Sequence, residues 1–545
     1  MLLDDYEEFS EPQSKTLEKY VTNTHSHIFA LRNLPEVIKG ALFSRYSRSS
    51  LGLRTLLLKE FITNTEESGF DAIVPSESSV EPTAQIAAIK KAQNFYDRIL
   101  DGYGDDSIGE LGGAHLALEN ISMLAAKVVE DNRIGGSPLE KSTRYIYFDQ
   151  KVKGEYLFYR EPVLMTSAYR DLYINTSNML FETYSRLIHP LTAMFEERTP
   201  RAPSASNVAY SAAIRAKVLD CLRGLLPAGT LTNMGVYGNG RFFDSLIHKL
   251  HCHNLAEMQD IGKKSYDELS KIIPSFVRRA QISHQTHMAY AEFYESMRAE
   301  LQTFALQHTP HESTPFGESN VQLITYDQEA VHKVVAALLF PYCDSTLENL
   351  QNYCKELPEE ETARILDAAA NTRENRRQKS PRALEHAAFT FEITADFGVY
   401  RDLHRHRTLT QERQLLTCNY GFYIPPEIID TNLEAEYVQA MHKAKKAYDI
   451  ISESLPEEAQ YIVPMAYNVR WYFHVNLRAL QWLCELRSAP AGHPTYRLVA
   501  QMLARQVSDA LPPFERFFKF VDYAGYDLGR LDQEQRRVNK QHAHK

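Results

Sequence analysis

The sequence predicts an α+β chain, rich in helix, in which one fold is used twice in tandem. Three observations carry that expectation. Apolar residues recur at helical spacing over much of the 545 residues. Two shorter stretches, Ser107 to Asn120 and Leu384 to Ile393, lead from a turn into an element with alternating or nearly continuous apolar side chains. Landmarks of the first half also return in the same order in the second.

The landmarks run as follows along the chain. Residues 1–24 are acidic and polar and are expected to form an N-terminal arm, loose or as a short surface helix. Leu34 to Tyr46 has helical spacing after Pro35, and Gln328 to Tyr342 repeats its order of charge, apolar face and terminal aromatic. Phe158-Tyr159-Arg160-Glu161-Pro162 returns as Phe422-Tyr423-Ile424-Pro425-Pro426. Leu226-Pro227 followed by Asn239-Gly240-Arg241 returns, at identical spacing, as Val463-Pro464 followed by Asn476-Leu477-Arg478. Ile273-Pro274-Ser275-Phe276 returns as Leu511-Pro512-Pro513-Phe514. The first copy is placed at 25–280 and the second at 320–530, with a connecting helix and turn-rich linker over 281–319 and a frayed tail over 531–545. Residues 225–250 and 463–486 read as long helices, and 264–306 and 490–523 as helical too.

Composition removes several function classes. No stretch approaches the run of about 20 apolar residues that a membrane helix needs, and the opening is acidic, unlike a secretory signal, so a cytoplasmic protein is expected. The six cysteines form no C-x-x-C pair, which argues against a disulfide framework or a zinc ribbon. His308 and His311 have no third ligand nearby, so no metal is expected. A net charge of -10 argues against bulk nucleic-acid binding.

Against that negative field stands the tetrad His404-Arg405-His406-Arg407. It follows the alternating run Phe389-Thr390-Phe391-Glu392-Ile393 and concentrates positive charge at the end of an element, as an anion site would. The matching segment of the first copy is Asn132 to Tyr145, with Ser137, Glu140, Ser142, Arg144 and Tyr145.

Together these residues resemble the signature of the flavin-dependent thymidylate synthases: Arg-His-Arg, then Ser, Asn-Glu, Ser and Arg-Tyr. In that family a Glu-His with Phe-Thr-Phe-Glu-Ile precedes it, and Phe-Tyr-x-Pro, Leu-Pro and Asn-x-Arg follow. Nearly all of both copies can be laid on this scheme, yet neither copy holds the whole signature. The second keeps Glu385-His386 and Arg405-His406-Arg407 but has Arg413, Leu415, Thr417 and Cys418 where Glu, Ser, Arg and Tyr are expected. The first has Asn132, Arg133 and Ile134 in place of Arg-His-Arg but keeps Glu140, Ser142 and Arg144. Downstream, the first keeps Arg223 before Leu-Pro where the second has Gln460. The second keeps Arg487 where the first has Leu250 or His251.

The resemblance implies two tandem copies of that family's fold, each with a small, mainly antiparallel sheet. It also implies an enzyme that methylates dUMP to dTMP using FAD, NADPH and methylenetetrahydrofolate, the folate co-substrate. Family enzymes are homotetramers with sites between subunits, so a homodimer of this chain would imitate the tetramer. Ser142, Arg144, Arg223, Arg405 and Arg487 are then the substrate-binding candidates. Arg405, His406, Arg407, Asn476 and Arg478 are the cofactor-binding candidates, and Glu140 and Arg487 the catalytic ones. Guanidinium forks suit this task because they grip phosphate oxygens bidentately, and Arg487 can polarise a pyrimidine carbonyl. Whether the composite site forms within a chain or across a dimer is open at this level. So is a catalytically inactive relative that binds flavin or nucleotide as a regulator or scaffold. Asp402 stands where a phosphate-contacting glutamine is common, and it would repel a phosphate unless Arg401 or Arg405 neutralises it.

Overall fold

The structure, a computed structural model, describes residues 8–47, 49–63, 109–309 and 319–543. In chain order its strands are β1 (Gly113–Ser122), β2 (Gly136–Glu140), β3 (Lys151–Val152), β4 (Glu155–Tyr156), β5 (Leu231–Asn239), β6 (Asn320–Tyr326), β7 (Ala388–Asp396), β8 (Thr410–Arg413) and β9 (Asn468–Asn476). The helices that matter here are α1 (Glu36–Tyr46), α2 (Met123–Glu130), α3 (Arg170–Arg198), α4 (Asn207–Leu222), α5 (Gly240–His251) and α6 (Ala256–Leu269). They continue with α7 (Gln285–His308), α8 (Ala330–Leu339), α9 (Phe397–Leu403), α10 (Glu434–Ser452), α11 (Leu477–Arg487), α12 (Pro494–Ala510) and α13 (Leu531–Ala543).

Two compact units result, and they interleave the chain. The first comprises Met1–Glu119, Val128–Glu140 and Asn233–His311; the second comprises Asn120–Lys127, Lys141–Thr232 and Glu312–Lys545. In the first unit, α5 buries Phe242, Phe243, Leu246, Ile247 and Leu250 and packs on α6. In the second, the sheet order is β6-β7-β9-β8 and all three pairings are antiparallel. Phe389, Phe391, Ile393, Trp471 and Phe473 fill its buried face. Helix α3 packs on α4 and α10, and α11 packs on α12.

The duplication is visible as repeated topology. The order β1-β5-β2 of the small sheet matches β7-β9-β8. In both copies the central strand runs straight into a helix whose N-cap is the echoed asparagine. Asn239 accepts from Phe242 N at 2.8 Å, and Asn476 from Ala479 N at 2.9 Å. Within the second unit the two Leu-Pro and Val-Pro echoes pair with each other. Pro227 and Pro464 form an antiparallel bridge, flanked by Ala228 N to Val463 O at 2.8 Å and Met465 N to Leu226 O at 2.9 Å. Tyr173 OH donates to Tyr159 O at 2.7 Å, and its echo Tyr437 OH to Tyr423 O at 3.3 Å.

Three expectations are corrected. The long helices read at 225–250 and 463–486 begin as strands β5 and β9, whose side chains alternate between buried and exposed. The helices start only after Asn239 and Asn476. The helical stretches 264–306 and 490–523 are interrupted: Pro274 and Pro512 each open a new short turn, because proline removes the N–H a continuing helix would use. The tail expected to fray forms α13, which packs on α4 and buries Val538 and Glu534. The expected helix at 280–306 is α7, and part of the linker, with His311, lies outside the described residues.

Candidate functional site

The site is built where β7 ends. Asp396 caps α9 by accepting from Val399 N at 3.1 Å, and one turn later the helix delivers Arg401, Asp402 and the basic tetrad. Asp402 is the centre of a buried charge cluster. Arg223, at the end of α4, reaches it at 3.2 Å, and Arg487, the last residue of α11, at 3.9 Å. Burial opposes ionisation of Asp402, but Arg223 and Arg487, with Arg144 and Arg405 beyond them, hold its carboxyl well below the usual range. The neutralisation expected of Arg401 or Arg405 is thus supplied chiefly by Arg223 and Arg487, with Arg405 contributing least of the four arginines.

Arg144 enters the same cluster from the loop after β2. Its Nε and Nη2 grip Asp220 of α4 at 2.6 and 2.7 Å, and its Nη1 donates to Tyr496 OH at 2.9 Å. Burial would lower the pKa of this guanidinium, but Asp220 outweighs it and raises it, while the Asp220 carboxyl is lowered in turn. The Tyr496 ring lies 5.6 Å from both Arg144 and Arg487, so one aromatic ring contacts two cations.

Two imidazoles are held neutral. Arg487 Nε donates to His406 Nε2 at 2.9 Å, which requires a lone pair on that nitrogen. Burial and then Arg487 lower the pKa of His406 to about 3. His493 caps α12, donates from Nε2 to Asp220 O at 3.0 Å and accepts at Nδ1 from Thr495; burial and Arg223 lower its pKa to about 3.

Arg223 carries a further feature. Its Nη2 is buried and has no hydrogen-bond partner among the described residues. A Cβ on Gly398 would come within 2.7 Å of that atom and 2.8 Å of Asp396 Oδ1, so only glycine leaves room beside the donor. An unpaired guanidinium N–H in a buried site is poised for an incoming oxygen.

The structure therefore brings Arg144 and Arg223 of the first half together with His406 and Arg487 of the second, inside one compact unit of one chain. Arg405 and Arg407 are exposed on the same tetrad. Ser142 accepts from Arg144 N at 3.2 Å, shaping the loop that presents the arginine. Glu140 is buried at the end of β2 in the other unit. Where the exchanged positions fall, Gln460 is a buried amide that accepts from Arg413 Nη1 at 3.2 Å and from Leu416 N at 3.1 Å.

Asn476 and Arg478 lie elsewhere in the second unit. The Asn476 side chain caps α11, and Arg478 bonds Ser380 O at 2.8 Å and Glu385 at 2.7 Å. Both line a cleft of about 470 Å³ with Arg376, Lys379, Ser380 and the half-exposed Trp482. Ser380 Oγ is buried there with no partner among the described residues. Arg373 and Glu385 line it too, the first paired with Glu485 and the second with Arg478, so Arg376, Lys379, the Ser380 hydroxyl and the indole are what it offers a group with a diphosphate and aromatic rings.

Sequence reasoning did not single out Asp220, His493, Tyr496 or Gly398 for the site. Asp220 had a legible signal, a lone charge within Val218-Leu219-Asp220-Cys221-Leu222 three residues before Arg223. His493 had another, in the His-Pro-Thr start of a helix.

Comparison with known proteins gives a consistent result. The family described as thymidylate synthase complementing protein matches residues 63–275 and again 322–513. A protein of Chlamydia muridarum, named only UPF0159 protein, is 54% identical over 530 residues, covering 97% of this chain and 98% of its own. A UPF0159 protein of Thermoplasma acidophilum is 33% identical over 526 residues, covering 92% of this chain and 98% of its own. A flavin-dependent thymidylate synthase of Clostridium tetani is 26% identical over 219 residues, covering 35% of this chain and 83% of its own.

Proposed function

Because the chain belongs to the thymidylate synthase complementing protein family, whose unit it carries twice, we propose that it is a cytoplasmic flavin-dependent thymidylate synthase-like methyltransferase. It converts dUMP to dTMP with FAD as resident cofactor and with methylenetetrahydrofolate and NADPH as co-substrates. The observation that carries this reading is the joining of Arg144 and Arg223 to His406 and Arg487 in one cluster, while the exchanged positions hold Gln460 and Leu250.

The charge balance suits a nucleotide. With both imidazoles neutral, Arg144, Arg223 and Arg487 exceed Asp220 and Asp402 by one positive charge. A phosphate dianion arriving beside them replaces water with fixed guanidinium donors, each such bond worth roughly 1.5–3 kcal/mol. Arg223 Nη2 offers a donor that no described side chain uses. Arg487 commits Nε to His406, which orients its remaining nitrogens toward a pyrimidine carbonyl; that contact draws electron density from the ring and makes it a better electrophile. Bound FAD would be held by Arg478, Arg376, Lys379 and Trp482 together with Arg405, His406 and Arg407, and once reduced by NADPH it would supply hydride to the transferred carbon.

One observation favours a second reading, a catalytically silent nucleotide or flavin binder. The Arg144 fork is closed on Asp220, so that arginine has no bidentate edge left for a phosphate. Tritium release from 5-tritiated dUMP, measured on the full chain with FAD and both co-substrates, decides between them. Release with dTMP formed supports the enzyme. Binding of dUMP or FAD without release supports the silent relative, and absence of both overturns the two together.

A further inference from the structure

Arg144 is nearly used up by its own neighbours. Of the five N–H donors of its guanidinium, Asp220 takes two, Tyr496 OH one and Ala491 O, at 3.2 Å, another, which leaves a single donor for any ligand. The loop that carries it is also held from a second side, by the last part of the chain. Arg497 of α12 fixes the approach, its Nε bonding Ser488 O at 2.7 Å and its Nη2 bonding Ala524 O at 2.8 Å. A few residues on, the chain passes so close to the turn after Arg487 that a Cβ on Gly529 would collide with Pro490 O, so only glycine fits. Helix α13 then docks on α4, where Gln535 Oε1 accepts from Ser206 N at 2.9 Å. The residue between that glycine and that helix is Arg530.

Arg530 is only 7% exposed. Its Nη1 donates to Arg144 O at 3.3 Å, and its guanidinium lies over the Tyr145 ring, 4.1 Å from the centroid. Its Nε is buried and has no hydrogen-bond partner among the described residues. Arg144, Arg223 and Arg487 each face an aspartate, whereas no carboxylate among the described residues pairs with Arg530. A buried guanidinium answered only by a carbonyl and a ring is costly, and an anion with oxygen acceptors relieves that cost. On the same loop, Ser142 Oγ accepts from Arg144 N and keeps its own O–H to donate.

We propose that Arg530 is an anion-binding residue of this site, and that it, rather than the nearly saturated Arg144, delivers the guanidinium contact to a phosphate group on the loop 142–145. Arg144 then acts as the frame that fixes the loop against Asp220, and the Tyr145 ring supports the Arg530 cation from below. Arg530 comes from beyond Phe514, the last echoed landmark, so the signature of neither copy contains it. That the phosphate belongs to dUMP rests on the function proposed above; that an oxyanion binds here does not.

The test is the melting temperature of the full chain titrated with inorganic phosphate, against chloride at equal ionic strength. Wild type is stabilised, and the apparent dissociation constant weakens at least about tenfold in Arg530→Gln, as expected for loss of one charged contact. Arg530→Lys keeps the charge without the fork and loses at least about threefold, and it decides the matter should Arg530→Gln fail to fold. Arg537→Gln, on the exposed side of the same helix, binds phosphate as wild type does. No stabilisation of wild type overturns the proposal, as does wild-type affinity in the Arg530 variants or an equal loss in Arg537→Gln. Titration with dUMP and deoxyuridine tells contact from mere support: Arg530→Gln should lose dUMP affinity by a similar factor and deoxyuridine affinity not at all, and equal loss of both overturns the assignment. Phosphate bound through Arg530 while neither dUMP nor deoxyuridine binds defeats only the function proposed above.

Discussion

His406 shows how far a single residue's state is set by its neighbours. Its Nε2 accepts from an arginine, so protonation would bring two cations together in a buried site. The folded pKa of about 3 lies below the ordinary value of 6.5, and the same holds for His493. Between those limits the unfolded chain binds protons that the folded chain excludes. Stability is therefore fully present above pH 6.5 and lost as the pH falls toward 3, by about 1.4 kcal/mol per pH unit for each imidazole. His248 and His251, lowered to about 4 by burial and by His287 beside them, act in the same direction. A melting temperature that declines steadily from pH 7 to 4.5, and declines less steeply in His406→Gln, is the expected result; a flat profile contradicts it. A second residue-scale expectation concerns arginines. Arg405→Ala should abolish dUMP binding with little change in stability, because Arg405 is exposed, whereas Arg413→Ala and Arg133→Ala should leave binding intact. Arg144→Ala should abolish binding too, but it also strands Asp220 and costs about 3–5 kcal/mol of stability. Equilibrium titration beside urea unfolding separates the two effects.

The strand-to-helix junctions are the elements that carry most of the duplication. Both end in an asparagine cap, so Asn476→Ala is expected to cost about 1 kcal/mol, seen as a lower urea midpoint with an unchanged slope. These junctions also mark where sequence reasoning succeeded and where it did not. The landmarks Leu226-Pro227 and Val463-Pro464, with the asparagines twelve residues on, were legible because turn and cap chemistry is local. The strands between them were not, because Leu231–Asn239 contains Gly235 and Gly238 and Asn468–Asn476 is apolar enough to pass for a buried helix. In β9 the two-residue period was nonetheless present, with Val469, Trp471, Phe473 and Val475 alternating with Arg470, Tyr472 and His474, and it was missed because the helical run that follows was extended backwards over it. The arginines of the cluster were legible by resemblance. Asp220 and Tyr496 were not, since what selects them is a partner that is distant in sequence and near in space.

At the scale of the whole chain, the cluster draws on both halves but is made once. Each chain is expected to bind one dUMP, whether the protein is a monomer or the proposed homodimer. Calorimetric stoichiometry, with light scattering to fix the mass, tests this; two nucleotides per chain would show that the halves did not specialise. The described residues form no helix long and apolar enough to cross a membrane and no group of ligating residues that could hold a metal ion. The chemistry proposed here asks for neither.

The bridge between Pro227 and Pro464 has a historical consequence. On the composite site proposed above, with the copies joined at this bridge, a defect in one copy is masked by its twin and makes that twin indispensable. Arg413 and Gln460 on one side, with Asn132 and Leu250 on the other, are what that ratchet leaves behind. On that proposal neither half binds dUMP by itself, and restoring such binding would take several simultaneous repairs.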